Sequence, residues 1–78
     1  MALITLTPPK FHTGQRVLSP YEDTESGIHY TESGVILGAL YVFEPSRYEG
    51  EAGWRYWVQF EHPRTYCDVM TEESIQSL

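Results

Sequence analysis

Residues 54–60 carry the clearest alternation in the chain. Trp54, Tyr56, Val58 and Phe60 fall on one side, and Arg55, Trp57 and Gln59 on the other. A two-residue period is that of a β-strand with one buried face. The first set is the expected core face, which leaves Trp57 as a large aromatic among polar neighbours. The longest apolar run, residues 34–44, begins at Gly34 and reads as a long central strand. Its β-branched and aromatic content and its flanking glycine speak against a helix. Val35, Leu37, Ala39, Tyr41 and Phe43 share one face, while Ile36, Gly38, Leu40 and Val42 share the other. Both faces are apolar, so alternation alone does not choose between them. Gly38 supplies a resolution: a glycine inside a strand marks a bulge or bend. A bent strand can bury one face before the bend and the other after it.

The remaining segments are strands or connections around these two. Residues 1–10 read as an N-terminal tail or an edge strand, closed off by Pro8 and Pro9, which donate nothing to a ladder. The domain proper is expected over residues 11–78. Phe11 is expected under the rim of the core, and Gly14 at a tight turn into a strand that points Val17 inward. Residues 19–33 are polar and interrupted by Pro20 and Gly27. They read as a long loop with a small hairpin at residues 28–30. Residues 45–53 form a turn region. Residues 61–64 are a hairpin loop leading to a strand at residues 65–70. That strand presents Thr65, Cys67 and Val69 on one face and Tyr66, Asp68 and Met70 on the other. Residues 71–74 read as one turn of 3₁₀ helix capped by Thr71, and residues 75–78 as a last short strand. The expected core is Val17, Ile36, Leu40, Trp54, Tyr56, Val58, Phe60, Val69 and Ile75.

Composition narrows the classes. The chain has 78 residues, enough for one domain, with 41% hydrophobic and 14% aromatic content, which fits a folded chain. Eleven acidic and five basic residues give a formal charge of −6. The basic residues are scattered, which disfavours a phosphate backbone as partner. The single cysteine, Cys67, cannot pair within the chain and fits a reducing compartment. No apolar run approaches the roughly 20 residues that span a bilayer, and no leader pattern opens the sequence. The expectation is a cytoplasmic protein with no membrane attachment.

The strand order, with Gly14-Gln15-Arg16-Val17, Gly34-Val35-Ile36-Leu37-Gly38, Trp57-Val58-Gln59-Phe60 and Val69 ahead of Thr71-Glu72-Glu73-Ser74-Ile75, resembles the small SH3-like barrel. Within that class it looks like Tudor and KOW-type domains. In layout it is similar to the variable chain of ferredoxin–thioredoxin reductase. The resemblance implies an all-β, five-stranded barrel with a long first loop, and for the accessory subunits a cofactor-free chain that covers a partner. The chain lacks the Ala-Leu-Tyr-Asp-Tyr box of proline-binding Src-homology domains, the basic loop of ribosomal KOW domains and the four-residue aromatic cage of methyl-lysine readers. A barrel of this kind hosts many functions.

The candidate binding surface groups Tyr21, Tyr30 and Trp57 with Glu22 and Asp23, and Tyr41 as a further neighbour. Aromatic rings beside carboxylates suit a proline-rich or basic peptide. The alternative is that Trp57 simply covers a sheet face. His12, His29, His62 and Cys67 lie in no metal-ligand spacing, and a Cys67–His62 pair would lack an orienting group. Cys67 reads instead as an inward-facing small hydrophobe. Glu22, Asp23, Glu25 and Glu32 read as a solvated acidic loop. The expected function is a non-catalytic interaction module or accessory subunit, without cofactor or metal, whose partner is another protein or peptide. The alternative is a nucleic-acid-binding barrel using Arg16, Arg55, Arg64, Trp57 and Tyr66.

Overall fold

The computed structural model describes residues 7–43 and 52–78. The expected turn over residues 45–53 therefore lies mostly outside the described residues, as does most of the N-terminal tail. Five antiparallel strands form one sheet: β1 (Arg16–Glu22), β2 (His29–Val42), β3 (Gly53–His62), β4 (Tyr66–Thr71) and β5 (Gln76–Ser77). A 3₁₀ turn, η1 (Glu72–Ser74), precedes β5. The order across the sheet is β4-β3-β2-β1-β5. Among the described residues no ladder joins β4 to β5, so the sheet is not closed into a barrel by hydrogen bonds.

Residues 19–33 are not a long loop. The β1–β2 ladder runs from Arg16 opposite Val35 to Glu22 opposite His29, and the reversal is confined to Asp23–Ile28. The Asp23 carboxylate accepts the Glu25 and Ser26 amides, and Gly27, at φ 72°, donates to the Asp23 carbonyl. A side-chain-capped turn with a left-handed glycine reverses the chain where a loop was expected. Pro20 survives inside β1 because of parity. The amide bonds of Asp23 to Ile28 and of Ile36 to Gln15 fix which β1 residues bond β2. Pro20 is not one of them. Its nitrogen faces the other edge of β1, where β5 reaches only Val17 and Leu18.

Gly38 sits at a bulge. The register steps from Ile36 opposite Val58 to Gly38 opposite Trp57, so Leu37 and Gly38 both stand against Trp57. Before the bulge the even-numbered residues Glu32, Gly34 and Ile36 face inward; after it the odd ones do, with Tyr41 against Trp54. The bend therefore exchanges buried faces, as glycine inside the strand suggested. It also overturns one expected core residue. Leu40, past the exchange, lies opposite Arg55 on the outer face and is exposed.

The core is Phe11, Val17, Ile36, Tyr56, Val58, Phe60 and Ile75. Each such side chain contributes roughly 1.5–3 kcal/mol on burial. Trp54, Tyr66 and Met70 are partly buried against it. Val69 and Cys67 are exposed, contrary to expectation. The hairpin register sets Phe60 opposite Tyr66 and Tyr56 opposite Met70, which gives the inner side of β4 to Tyr66 and Met70. Thr71 does occupy the N-cap position of η1, but its side chain makes no cap bond. Instead the Ser74 hydroxyl donates to the Thr71 carbonyl.

Residues 7–15 cross the inner face. Phe11 packs edge-on against Tyr56, with ring centroids 5.2 Å apart. The Tyr56 hydroxyl accepts the Lys10 amide at 2.8 Å and the Phe11 amide at 3.3 Å, and donates to Glu72 Oε2 at 2.6 Å. Trp54 Nε1 donates to the Thr7 carbonyl at 2.7 Å.

Gly34 and Gly38 make opposite demands. A Cβ on Gly34 would lie 2.5 Å from the Gln59 carbonyl oxygen and 2.9 Å from Phe60 Cα, both backbone atoms, whereas a Cβ on Gly38 meets open space. Gly34→Ala is expected to cost roughly 1–3 kcal/mol in urea unfolding. Gly38→Ala is expected to stay within about 0.5 kcal/mol of the parent. Equal effects would refute the close approach at Gly34.

Candidate functional site

The two faces of the sheet are chemically unlike. On the outer face, register aligns Gly38, Trp57 and Val69 across three strands. Leu37 and Leu40 flank this row on β2. Leu37, Leu40, Trp57 and Val69 are each 42–48% exposed. A large aromatic at the centre of an apolar strip is the composition of an interface core. Of the strand carboxylates, Glu32 and Asp68 are on the inner side. Glu61, on the outer side, forms an ion pair with Arg16 at 3.1 Å. Such an exposed pair contributes little to stability, but it keeps a free carboxylate away from the strip.

Tyr21 and Tyr30 lie opposite each other on the inner side of the β1–β2 hairpin and stack, with centroids 5.3 Å apart and planes 21° apart. Glu22 is on the outer side at the end of β1, and Asp23 holds the turn. The structure thus brings Tyr21, Tyr30, Glu22 and Asp23 together at one end of the molecule, which extends 52 Å along its longest axis. Trp57 is not with them. It faces the opposite side, opposite Gly38, roughly 25 Å along β2 from Tyr30 at strand spacing. Tyr41 packs against Trp54, centroids 5.3 Å apart, and belongs to neither group.

Glu32 is the residue that loop-based reasoning misplaced. It is buried on the inner face beside Ser19, and the Tyr66 hydroxyl donates to its Oε2 at 2.5 Å. Extending the inward parity of Ile36 and Gly34 back by one step would have found it. Phe60 stacks on Tyr66 with centroids 5.0 Å apart, and the Arg64 guanidinium lies 5.4 Å from the Tyr66 ring centre. Burial, then the Glu32 hydrogen bond, pushes the Tyr66 hydroxyl up to about 12. At neutral pH Tyr66 is a fixed proton donor that satisfies a buried carboxylate. Tyr56 is also raised, by burial and then by Glu72.

Among the described residues no three His, Cys, Asp or Glu side chains converge on a point that would hold a metal ion, and no helix is long and apolar enough to cross a membrane. Comparison with protein-family models, curated proteins and solved structures found no match to this chain. The class that its geometry defines is a small all-antiparallel five-stranded β-domain.

The Tyr66–Glu32 pair makes stability fall in alkali. An unfolded tyrosine ionises near pH 10. Between there and about 12 the folded state holds a proton that the unfolded state has lost, so stability declines as pH rises, by less than the full shift implies because solvent screens the partly exposed hydroxyl. Urea unfolding across that window should show the decline. Tyr66→Phe should start lower, because Glu32 loses its donor, but lose less with rising pH. Parallel slopes for the two proteins would contradict the assignment.

Proposed function

We propose that this chain is a non-catalytic protein-interaction module, or a cofactor-free accessory subunit of a larger complex, with an SH3-like barrel arrangement. The observation that carries this reading is the apolar outer strip of Leu37, Leu40, Trp57 and Val69. A sheet is stable when each apolar face is covered. The inner face is covered by residues 7–15 and η1, whereas the outer face holds a tryptophan and three aliphatic side chains in solvent. Contiguous exposed apolar surface of this sort marks interaction sites. The barrel arrangement is supported by the pairing of β5 with β1 after a 3₁₀ turn, which sets the last strand beside the first. The exposed, unpaired Cys67 supports a reducing, cytoplasmic setting.

The alternative, a nucleic-acid-binding small barrel, draws on Arg16, Arg55 and Trp57 sharing the outer face. Its weakness is local charge: Arg16 is engaged by Glu61, and Arg64 and Tyr66 are stacked together away from that face.

Affinity capture from native lysate, read by mass spectrometry, tests the reading with wild type and Trp57→Ala. The substitution removes a half-exposed ring, so the variant should stay folded by circular dichroism and within about 1 kcal/mol of wild type. A protein captured by wild type and lost with the variant is the expected result. Capture of nucleic acid alone, weakening steeply with salt, would favour the alternative instead.

A further inference from the structure

The β1–β2 hairpin runs past the rest of the sheet, and its two edges differ. Gln15, Val17, Ser19 and Tyr21 exchange bonds with Ile36, Gly34, Glu32 and Tyr30, a parity fixed at both ends by the Asp23–Ile28 and Gln15–Ile36 amide bonds. The backbone groups of Pro20 and Glu22 therefore face one edge, and those of His29 and Thr31 the other. The first edge is blocked, because Pro20 has no N–H. The second is open. The β2–β3 ladder begins only at Ser33 opposite His62, so the N–H and C=O groups of His29 and Thr31 have no strand partner among the described residues. Both side chains are exposed. The free edge of β4, by contrast, is partly occupied: the Val69 amide donates to the Asp68 carboxylate at 2.8 Å.

Charge selects the occupant. Glu22, Asp23 and Glu25 lie at this end, the hairpin itself carries no lysine or arginine beyond Arg16, and Arg64, past the end of β3, lies over the Tyr66 ring. A second copy pairing its own His29–Thr31 edge here would set two acidic hairpin ends side by side. A basic strand would meet complementary charge. A residue of an added strand opposite Tyr30 would also stand beside the Tyr21–Tyr30 stack on the inner face, at cross-strand distance, where a guanidinium can lie over a ring.

We propose that the open edge of β2 at residues 29–31 accepts an extended, arginine- or lysine-bearing segment of a partner protein as an added strand. The inference rests on the reading of the chain as a protein-binding module, but not on the Trp57 face. Main-chain pairing would supply the binding, and the acidic hairpin end would supply the choice of partner.

The test uses two synthetic probes, an alternating arginine–threonine peptide and its glutamate–threonine counterpart, titrated into the full chain and followed by amide NMR. The expected result is that the arginine peptide shifts the His29 and Thr31 amides and protects them from exchange, while the glutamate peptide does not. Thr31→Pro, which removes the open-edge donor opposite the naturally tolerated Pro20, should abolish the effect. The double variant Glu22→Lys, Glu25→Lys changes only exposed side chains and should weaken binding about tenfold. Several outcomes would overturn the inference: no binding, equal binding of the two peptides, indifference to the charge reversal, or shifts at His29 and Thr31 from self-association. Shifts centred on Trp57 and lost in Trp57→Ala would also overturn it, while leaving the module reading in place.

Discussion

The Tyr56 hydroxyl is the point at which three separate parts of the chain are tied. Tyr56 stands on β3 with its ring wholly buried. Its oxygen accepts two amides from residues 10 and 11 and gives its proton to Glu72 on η1. Those partners are 46, 45 and 16 residues away in sequence. A small five-stranded sheet cannot bury its inner face alone, because its strands leave the ends of the core open. The segment bearing Phe11 closes one of these openings, and η1 with Ile75 closes another. Both are held by the same oxygen. A buried hydroxyl with all its bonding capacity used is favourable; one stripped of its partners is costly. The geometry of the core therefore depends on a polar contact as much as on apolar contacts.

Much of this was legible from local pattern, and the failures have specific causes. The alternation over residues 54–60 located β3 and its inward face, and Gly38 marked the bulge, because both signals are local in sequence. The bulge reverses parity and puts Leu40 outside, while Val69 is outside because the β3–β4 register gives the inner side of β4 to Tyr66 and Met70. Residues 19–33 looked like a loop because Pro20 and several carboxylates break the usual strand signature. Pro20 is tolerated because its nitrogen faces an edge that β5 does not reach, and Glu32 because Tyr66 lies opposite its carboxylate. Neither fact is visible before register is known. The candidate site fared likewise. Tyr21 and Tyr30 are paired by a register that the loop reading lacked, and Trp57 is separated from them by strand parity and length.

The result is a domain with chemically distinct surfaces. The outer face is apolar around Trp57, and its one nearby strand carboxylate is neutralised by Arg16. The hairpin end is acidic, with a stacked tyrosine pair and an open edge. The inner polar groups are spent on structure: Tyr66 on Glu32, Tyr56 on Glu72, Ser19 on the Ser74 carbonyl. The inner polar side chains are engaged in holding the fold, while the aromatic and apolar groups of the outer strip are not.

Amide hydrogen exchange on wild type and Tyr56→Phe measures the role of the Tyr56 hydroxyl most directly. Loss of the oxygen should deprotect the Lys10 and Phe11 amides and lower global stability by roughly 1–3 kcal/mol, while the β1–β2 ladder keeps its relative order of protection. Unchanged protection at Lys10 and Phe11, with stability unaltered, would mean that Phe11 packing, the Lys10 amide bond to Glu72 and the Trp54 bond to the Thr7 carbonyl hold the segment and that the Tyr56 hydroxyl ties nothing.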